Sequence, residues 1–570
     1  MAEAAAGLQP GEVALCAGGE AESRGLPYPG LGPDSREIPV LYRDLCRQTA
    51  VLDYKSRHEL LWVVVLGGTG TGKSTLFNAL AGAPLSRTGV ERPKTQGPIA
   101  LVSDTADLAD GFPFADLSLE TFSGPAGQAP VAGQAGALTL VTQNRTDRAH
   151  LVLVDTPDLD SVETENQRAA ESLYLLADAA VFVTSQEKYA DEVPFRFLRR
   201  VHTDGRPCFL LLNKAHDRLE AADVLSALTE AGLKLDPKWL WLIPRLPAEA
   251  MDRLSEEPAF ADFARSLAEE LSAEKLTDFR QAEQKRRQEQ LADLKARLRR
   301  LLETESRAIQ GWQTELERLF EEACRDLVAE QRERFNVKSK EYLQAEIRRL
   351  FARYDLLAGP RRAVQSVLLG PLRLLGLVPK PPKDAHRQAL ERIREGIDLT
   401  PVQSALDHFN RAVLEGLSPE DEAAPLFKAL RRSGVLLTDA EIKSAVWQEQ
   451  EALAVWLEKR FQEMARSIPT GKRWGIYSTT FLWELLIVSV SSAVGGGFTA
   501  VDAVIDSALA PFVSKGAVEL FAYQEVKTVG RELAQKYQEG FLAVVRRQHR
   551  RYRDLIASLS PPLEILESLK

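Results

Sequence analysis

Positive charge is in deficit: 72 Lys and Arg face 81 Asp and Glu, for a net charge of −9. A dedicated nucleic-acid binder needs clustered cations for its phosphate contacts, so no specific nucleic-acid partner is expected. Cysteine is scarce, and Cys16, Cys46, Cys208 and Cys324 lie far apart with no C-x-x-C pair. Neither a zinc site nor a disulfide framework is expected, and a reducing compartment fits best. The opening MAEAAAGLQPGEVALCAGGEAESRG has no early basic region and is interrupted by Pro10 and acidic residues, so it reads as neither a secretory nor a transit leader. Long runs that are both apolar and uncharged are missing too. The longest in the apolar 474–514 stretch, Leu485 to Val501, has 17 residues. A spanning helix needs about 20, which excludes a simple transmembrane anchor. A cytoplasmic protein is expected, at most peripheral on the membrane.

What is present is long and divided. A chain of 570 residues exceeds what one core supports, so two or more domains are expected. The first 37 residues, rich in Ala, Gly, Glu and Pro, read as a disordered tail. Residues 38–57 suggest a short helix leading into an apolar strand, Leu61 to Leu66. Gly67-Gly68-Thr69-Gly70-Thr71-Gly72-Lys73-Ser74 follows, and then the helix-favouring Thr75 to Leu80. Strand, G-x-x-x-x-G-K-S loop and helix, in that order, make a phosphate-binding loop. Glycines Gly67, Gly70 and Gly72 let backbone N–H groups point inward, and the helix adds its positive N-terminal end. Lys73 would reach the β- and γ-phosphates and Ser74 would ligate Mg²⁺, with Thr75 in the same first turn.

Three further segments complete a nucleotide site. Between the first helix and the strand at Pro98 to Val102 lies a polar loop of the kind that serves as a GTPase's first switch. Thr95 is the candidate there for binding Mg²⁺ and sensing the γ-phosphate, with Thr88 as competitor. An apolar strand then ends in Asp155-Thr156-Pro157-Asp158. This sets the Asp155 carboxylate at the sheet's C-terminal edge, where it would hold Mg²⁺. Asp158 stands where the D-x-x-G motif has glycine, and its carboxylate would sit near a polyanion. The strand at Pro207 to Leu212 opens onto Asn213-Lys214-Ala215-His216-Asp217. In N-K-x-D loops the Asp reads guanine and the Lys stem packs on the base. Here Asp217 comes one residue late, so either Asp217 reads guanine from a longer loop or base choice between guanine and adenine is relaxed.

The order GGTGTGKST, Thr95, DTPD and NKAHD resembles the dynamin-like GTPases, of the bacterial dynamin-like type, and the related Era-like group. GKSTLFNALAGAPL looks Era-like, whereas SRTGVERPKTQGPIALV looks like the dynamin first-switch region. The resemblance runs through about residues 60–220. It implies an α/β P-loop GTPase domain, a mostly parallel sheet with flanking helices, over residues 38–255. It also implies a helical stalk behind that head, GTP as substrate, Mg²⁺ as cofactor, Lys73 and Thr95 in catalysis, and a homodimer formed through the heads. The dynamin Gln-Ser pair that positions catalytic water is absent, its places taken by Thr69 and Gly70. After Asp158 the chain offers Leu159, Asp160 and Ser161, and no catalytic base can be assigned. Turnover is expected to be slow or to need a partner.

From about residue 256 the pattern turns helical. Leu291, Leu294, Leu298, Leu301, Ile309, Trp312, Leu316 and Leu319 keep a 3-4 spacing broken only at Glu305, which predicts a long amphipathic stalk over 256–360. The cations Lys285-Arg286-Arg287 and Lys295 to Arg300 read as a solvated face. Residues 361–383 form an apolar and basic connector, 384–471 a helical bundle, 472–515 an apolar hairpin and 516–570 a C-terminal helix. Membrane contact is assigned either to 361–383 or to 474–514, which is bent at Gly495 to Gly497. The competing reading of each is an ordinary connection or a helical pair inside the bundle. The composite expectation is a dynamin-like GTPase that couples hydrolysis to self-association and membrane remodelling. Its rival is a soluble GTP or ATP switch of low turnover that presents its helices to a protein partner.

Overall fold

A computed structural model describes residues 25–88, 97–103, 108–122, 131, 133–143, 148–161, 164–185, 192–216, 218–246, 253–333, 399–467 and 520–569. The chain divides into two compact units. One, the head, comprises Glu37–Leu302 with Met1–Leu26 and Pro562–Lys570, and the other, the bundle, comprises Pro27–Arg36 and Glu303–Pro561.

The head is a three-layer α/β unit built on an eight-stranded sheet of order β3-β4-β2-β5-β1-β6-β7-β8. Its strands are β1 Leu61–Gly67, β2 Ile99–Val102, β3 Ser118–Thr121, β4 Ala137–Thr142, β5 Leu151–Asp155, β6 Ala179–Ser185, β7 Cys208–Ala215 and β8 Leu240–Pro244. Neighbours are parallel except at β2–β5, where Ile99 opposes Asp155. The mostly parallel sheet expected from the sequence is therefore present. β3 and β4 are additions: they flank the Gly-rich 121–138 stretch, whose composition hides the short strands at its ends.

Every residue of β1 is buried, as a strand covered on both faces must be. Trp62, Val64 and Leu66 face helices α1 Ile38–Arg57, α3 Thr164–Leu176, α4 Glu192–Thr203 and α5 Ala221–Glu230. Leu61, Val63 and Val65 face α2 Lys73–Ala81 and α6 Pro258–Glu270, whose Phe260, Phe263 and Leu267 fill the second core. α7, Leu276–Glu333, begins in the head. Its Arg287, expected on a solvated face, is instead buried. The guanidinium donates to Leu175 O at 2.7 Å and Ala177 O at 2.7 Å, and it lies 3.6 Å from Asp178. It caps the C-terminal end of α3, where a cation meets the negative end of the helix dipole. Lys285 alone of that triplet is exposed.

In the bundle, the rest of α7 packs with α8 Thr400–Gly416, α9 Pro425–Leu430, α10 Asp439–Ser467 and α11 Leu520–Leu559; the short α12 that comes next in the chain, Leu563–Ser568, is counted with the head. The α7 seam of the bundle runs Glu305, Ile309, Trp312, Leu316, Leu319, Ala323 and Leu327, all buried. In the head's part of α7, Leu302 is buried and Leu301, expected on the apolar stripe, is half-buried. Glu305, the break in the apolar pattern, is 1% exposed and belongs to the seam. Its carboxylate accepts the N–H groups of Gly30 at 3.2 Å, Leu31 at 3.1 Å and Gly32 at 2.5 Å. Pro29 O also accepts from Leu426 N at 3.0 Å. Residues 27–36 are thus part of the bundle, which corrects the reading of 1–37 as one disordered tail; residues 1–24 lie outside those described.

The expected apolar connector 361–383 and hairpin 472–515 also lie outside the described residues. Among the described residues no helix is long and apolar enough to cross a membrane. Cys208 and Cys324 are free thiols, whereas Cys46 is held in a disulfide, which the wide sequence spacing did not suggest.

Candidate functional site: the phosphate loop and its neighbours

The strand register brings four chain segments to one edge. Val65 pairs with Asp155, Gly67 with Val183, and Ser185 with Asn213. The turn from β1 into α2 therefore opens beside the ends of β5 and β7. Its backbone requires glycine at two points. Gly67 has φ 153°, and a Cβ there would come 2.0 Å from Val183 O. Gly72 has φ 95°, and a Cβ there would come 2.3 Å from Asn213 Nδ2. Gly72 is also the N-cap of α2, so Lys73, Ser74 and Thr75 form the first turn at the helix's positive end.

The loop closes on itself and on its surroundings. Thr71 Oγ1 donates to Gly68 O at 2.9 Å, and Lys73 Nζ donates to the same oxygen at 3.1 Å. Asn213 Nδ2 donates to Thr71 O at 2.8 Å, and Lys214 Nζ to Gly70 O at 2.8 Å. Lys214 is the sole non-glycine with positive φ among the described residues, at 59°. Such a conformation costs about 1–3 kcal/mol and concentrates at functional sites. Here it lays the lysine stem across the loop, and the exposed side chain offers a platform for a base. Asp217, the expected base reader, lies outside the described residues.

Asp155 is fully buried. Its Oδ2 accepts from Ser86 Oγ at 2.7 Å, while Oδ1 has no hydrogen-bond partner. Burial pushes its carboxyl above the ordinary carboxylate range, and Ser86, the Lys73 charge and Ser74 partly offset this. A buried carboxylate oxygen with an open lone pair, beside the Ser74 hydroxyl, suits a hard divalent cation such as Mg²⁺. Ser86 was not read as functional in the sequence. It is fixed by Asn78, whose Oδ1 accepts from Ser86 N at 2.7 Å and whose Nδ2 donates to Ser86 O at 2.8 Å. A serine after an Era-like helix carries no signal alone; only the fold shows that it faces Asp155. Thr95 lies outside the described residues, and Thr88, its competitor, is exposed just before that gap.

The turn after β5 carries two more carboxylates to the loop. Asp158 Oδ1 pairs with Lys73 Nζ. Asp160 Oδ1 accepts from Thr69 N at 2.6 Å and from Thr69 Oγ1 at 2.5 Å. Leu159, between them, is core, and its N–H donates to Gly67 O at 3.2 Å. Of the three residues after Asp158 offered for catalysis, Asp160 bonds to the loop through its side chain.

Residues 63–215 match the profile of the Dynamin family. That stretch of the head is similar to the Dynamin family. The match runs from inside β1 through the last residue of β7 and so takes in the loop, Asp155 and Asn213-Lys214. Two solved structures of an oligomerised bacterial dynamin pair, described as sensing and tethering membranes over long range, are similar to this chain at TM-scores of 0.33 and 0.32. Each is 14% identical, and the alignment covers 93% of this chain and 91% of the other. A likeness at that level carries no conclusion about this chain. No curated protein matches it.

Proposed function

We propose that this chain binds GTP with Mg²⁺ at Gly67–Ser74, hydrolyses it, and uses the cycle to drive association between heads and with a membrane surface. The observation that carries the nucleotide part is the convergence of Lys73, Ser74 and the open Oδ1 of buried Asp155 at the mouth of a glycine-strained loop. Ser74 and Asp155 would hold the metal, which supplies positive charge to the phosphate oxygens when bound. Lys73 would neutralise the phosphates, Gly67, Gly70, Gly72 and Thr75 would shape and cap the cradle, and Asn213 and Lys214 would brace it beneath the base. Thr95 would close on the γ-phosphate and Asp217 would read guanine.

The membrane part is supported by composition alone: residues 474–514 contain only Glu484, Asp502 and Asp506 as charges, with Lys472, Arg473 and Lys515 at the borders. One structural observation favours the rival, a low-turnover switch that shows its helices to a partner: Lys73 is already engaged by Asp158. Titration of the full chain with GTP and Mg²⁺, repeated on Lys73→Ala, tests the nucleotide reading. Loss of binding by at least about tenfold is expected, given the charge removed from the phosphates; unchanged binding removes it. Flotation with anionic liposomes in each nucleotide state tests the membrane part, and absence from the floated fraction in every state removes that part alone.

A further inference from the structure

Two residues of the phosphate loop, with three donor groups between them, are already engaged by the chain's own carboxylates. The Lys73 ammonium, whose side chain is 4% exposed, pairs with Asp158, whose side chain is 30% exposed. The Thr69 N–H and hydroxyl are both taken by Asp160 Oδ1, at 2.6 and 2.5 Å. The turn that carries them is tied down by the bond from Leu159 N to Gly67 O, and Ser161 N closes it onto Asp158 O at 3.1 Å. The lysine of a phosphate loop serves the β- and γ-phosphates. A carboxylate on it therefore stands where the terminal phosphate would seek its counter-charge. A glycine in place of Asp158 would bring no such charge.

We propose that Asp158 and Asp160 act as an internal stand-in for the terminal phosphate, so that the head takes a nucleoside diphosphate in preference to the triphosphate. The diphosphate shares Lys73 with Asp158 and leaves the turn in place. The triphosphate adds negative charge against Asp158 and needs residues 158–160 to withdraw from Lys73 and Thr69. This rests on the nucleotide-binding reading above and adds to it which ligand the resting head holds. The pair is part-exposed and screened, so the discrimination is set at about tenfold, below what an unscreened charge contact would give.

The test is calorimetric titration of the full chain, with Mg²⁺, by GDP and by a non-hydrolysable GTP analogue, with the adenine pair run in parallel. The wild-type chain is expected to bind the diphosphate about tenfold more tightly than the triphosphate analogue. Asp158→Asn, which keeps the shape and removes the charge, is expected to tighten the triphosphate analogue about tenfold while moving the diphosphate by less than about threefold. Asp160→Asn is expected to act in the same direction. Equal affinities in the wild-type chain overturn the proposal without recourse to any variant, as does an Asp158→Asn effect of the same size on both ligands. Binding of both ligands with no preference leaves the nucleotide reading standing, whereas binding of neither removes both.

Discussion

Replacing Ser86 by Ala tests the metal site through a residue that touches neither metal nor nucleotide in the proposed arrangement. Ser86 Oγ lies 2.7 Å from Asp155 Oδ2, and the two residues are 1% and 0% exposed. A hydrogen bond to a buried charged group contributes about 1.5–3 kcal/mol. Because Oδ1 has no hydrogen-bond partner, loss of Ser86 leaves the buried carboxylate with the Ser74 hydroxyl and the Lys73 charge to offset its desolvation. Roughly 2 kcal/mol corresponds to about thirtyfold in an equilibrium constant, within the 10–100-fold usual for groups that orient a metal ligand. The assay is a Mg²⁺ titration of fluorescent-nucleotide binding for the wild type, Ser86→Ala and Ser86→Thr. The Mg²⁺ midpoint is expected to rise by about thirtyfold in Ser86→Ala and by far less in Ser86→Thr, which keeps the hydroxyl. A midpoint unchanged in Ser86→Ala, with the loop still able to bind nucleotide, would refute both the orienting role and the assignment of Asp155 to the metal.

Two further predictions concern the fold around the site. Glu305→Ala strips the acceptor from three N–H groups and is expected to lower bundle stability by about 3–5 kcal/mol, measured by urea unfolding with trypsin cleavage at Arg36 as a local readout; a loss under about 1 kcal/mol would show that the carboxylate is not what holds residues 30–32. Burial pushes the Cys208 thiol up to about 12 from an ordinary value of 9.0. The folded state keeps that proton while the unfolded chain loses it, so stability is full below about pH 9 and falls as pH rises toward 12. Cys208→Ala is expected to flatten that alkaline decline, and an unchanged slope in melting temperature between pH 9 and 11 would assign it to other groups.

The central strand and its loop were legible because their signals are local. Leu61 to Leu66 is an uninterrupted apolar run, and the glycine spacing that follows admits few backbones. β3 and β4 were not, because four- and six-residue strands beside a Gly- and Ala-rich stretch lack enough alternation to stand out. Glu305 was visible only as an interruption: the period marked its place in the seam, while the three amides that explain it lie more than 270 residues away. Arg287 shows the opposite limit. A run of cations interleaved with acids looks solvated, and only the docking of α7 on the end of α3 turns one of them into a buried cap.

The sequence by itself determined that a triphosphate-type loop sits between an apolar strand and a helix, that Asp155 ends a second strand, and that helices follow. Those are consequences of spacing along the chain, which local sterics and periodicity translate directly into structure. Tertiary structure alone decided what faces the loop. Ser86 meets Asp155 across 69 residues, Asp160 meets Thr69 across 91, and Asp158 meets Lys73 across 85. Such contacts depend on sheet order and register, which bring strand ends together without leaving any periodic mark in the chain. Asp158 read in sequence as a misplaced charge; the fold makes it the counter-charge of the loop's lysine.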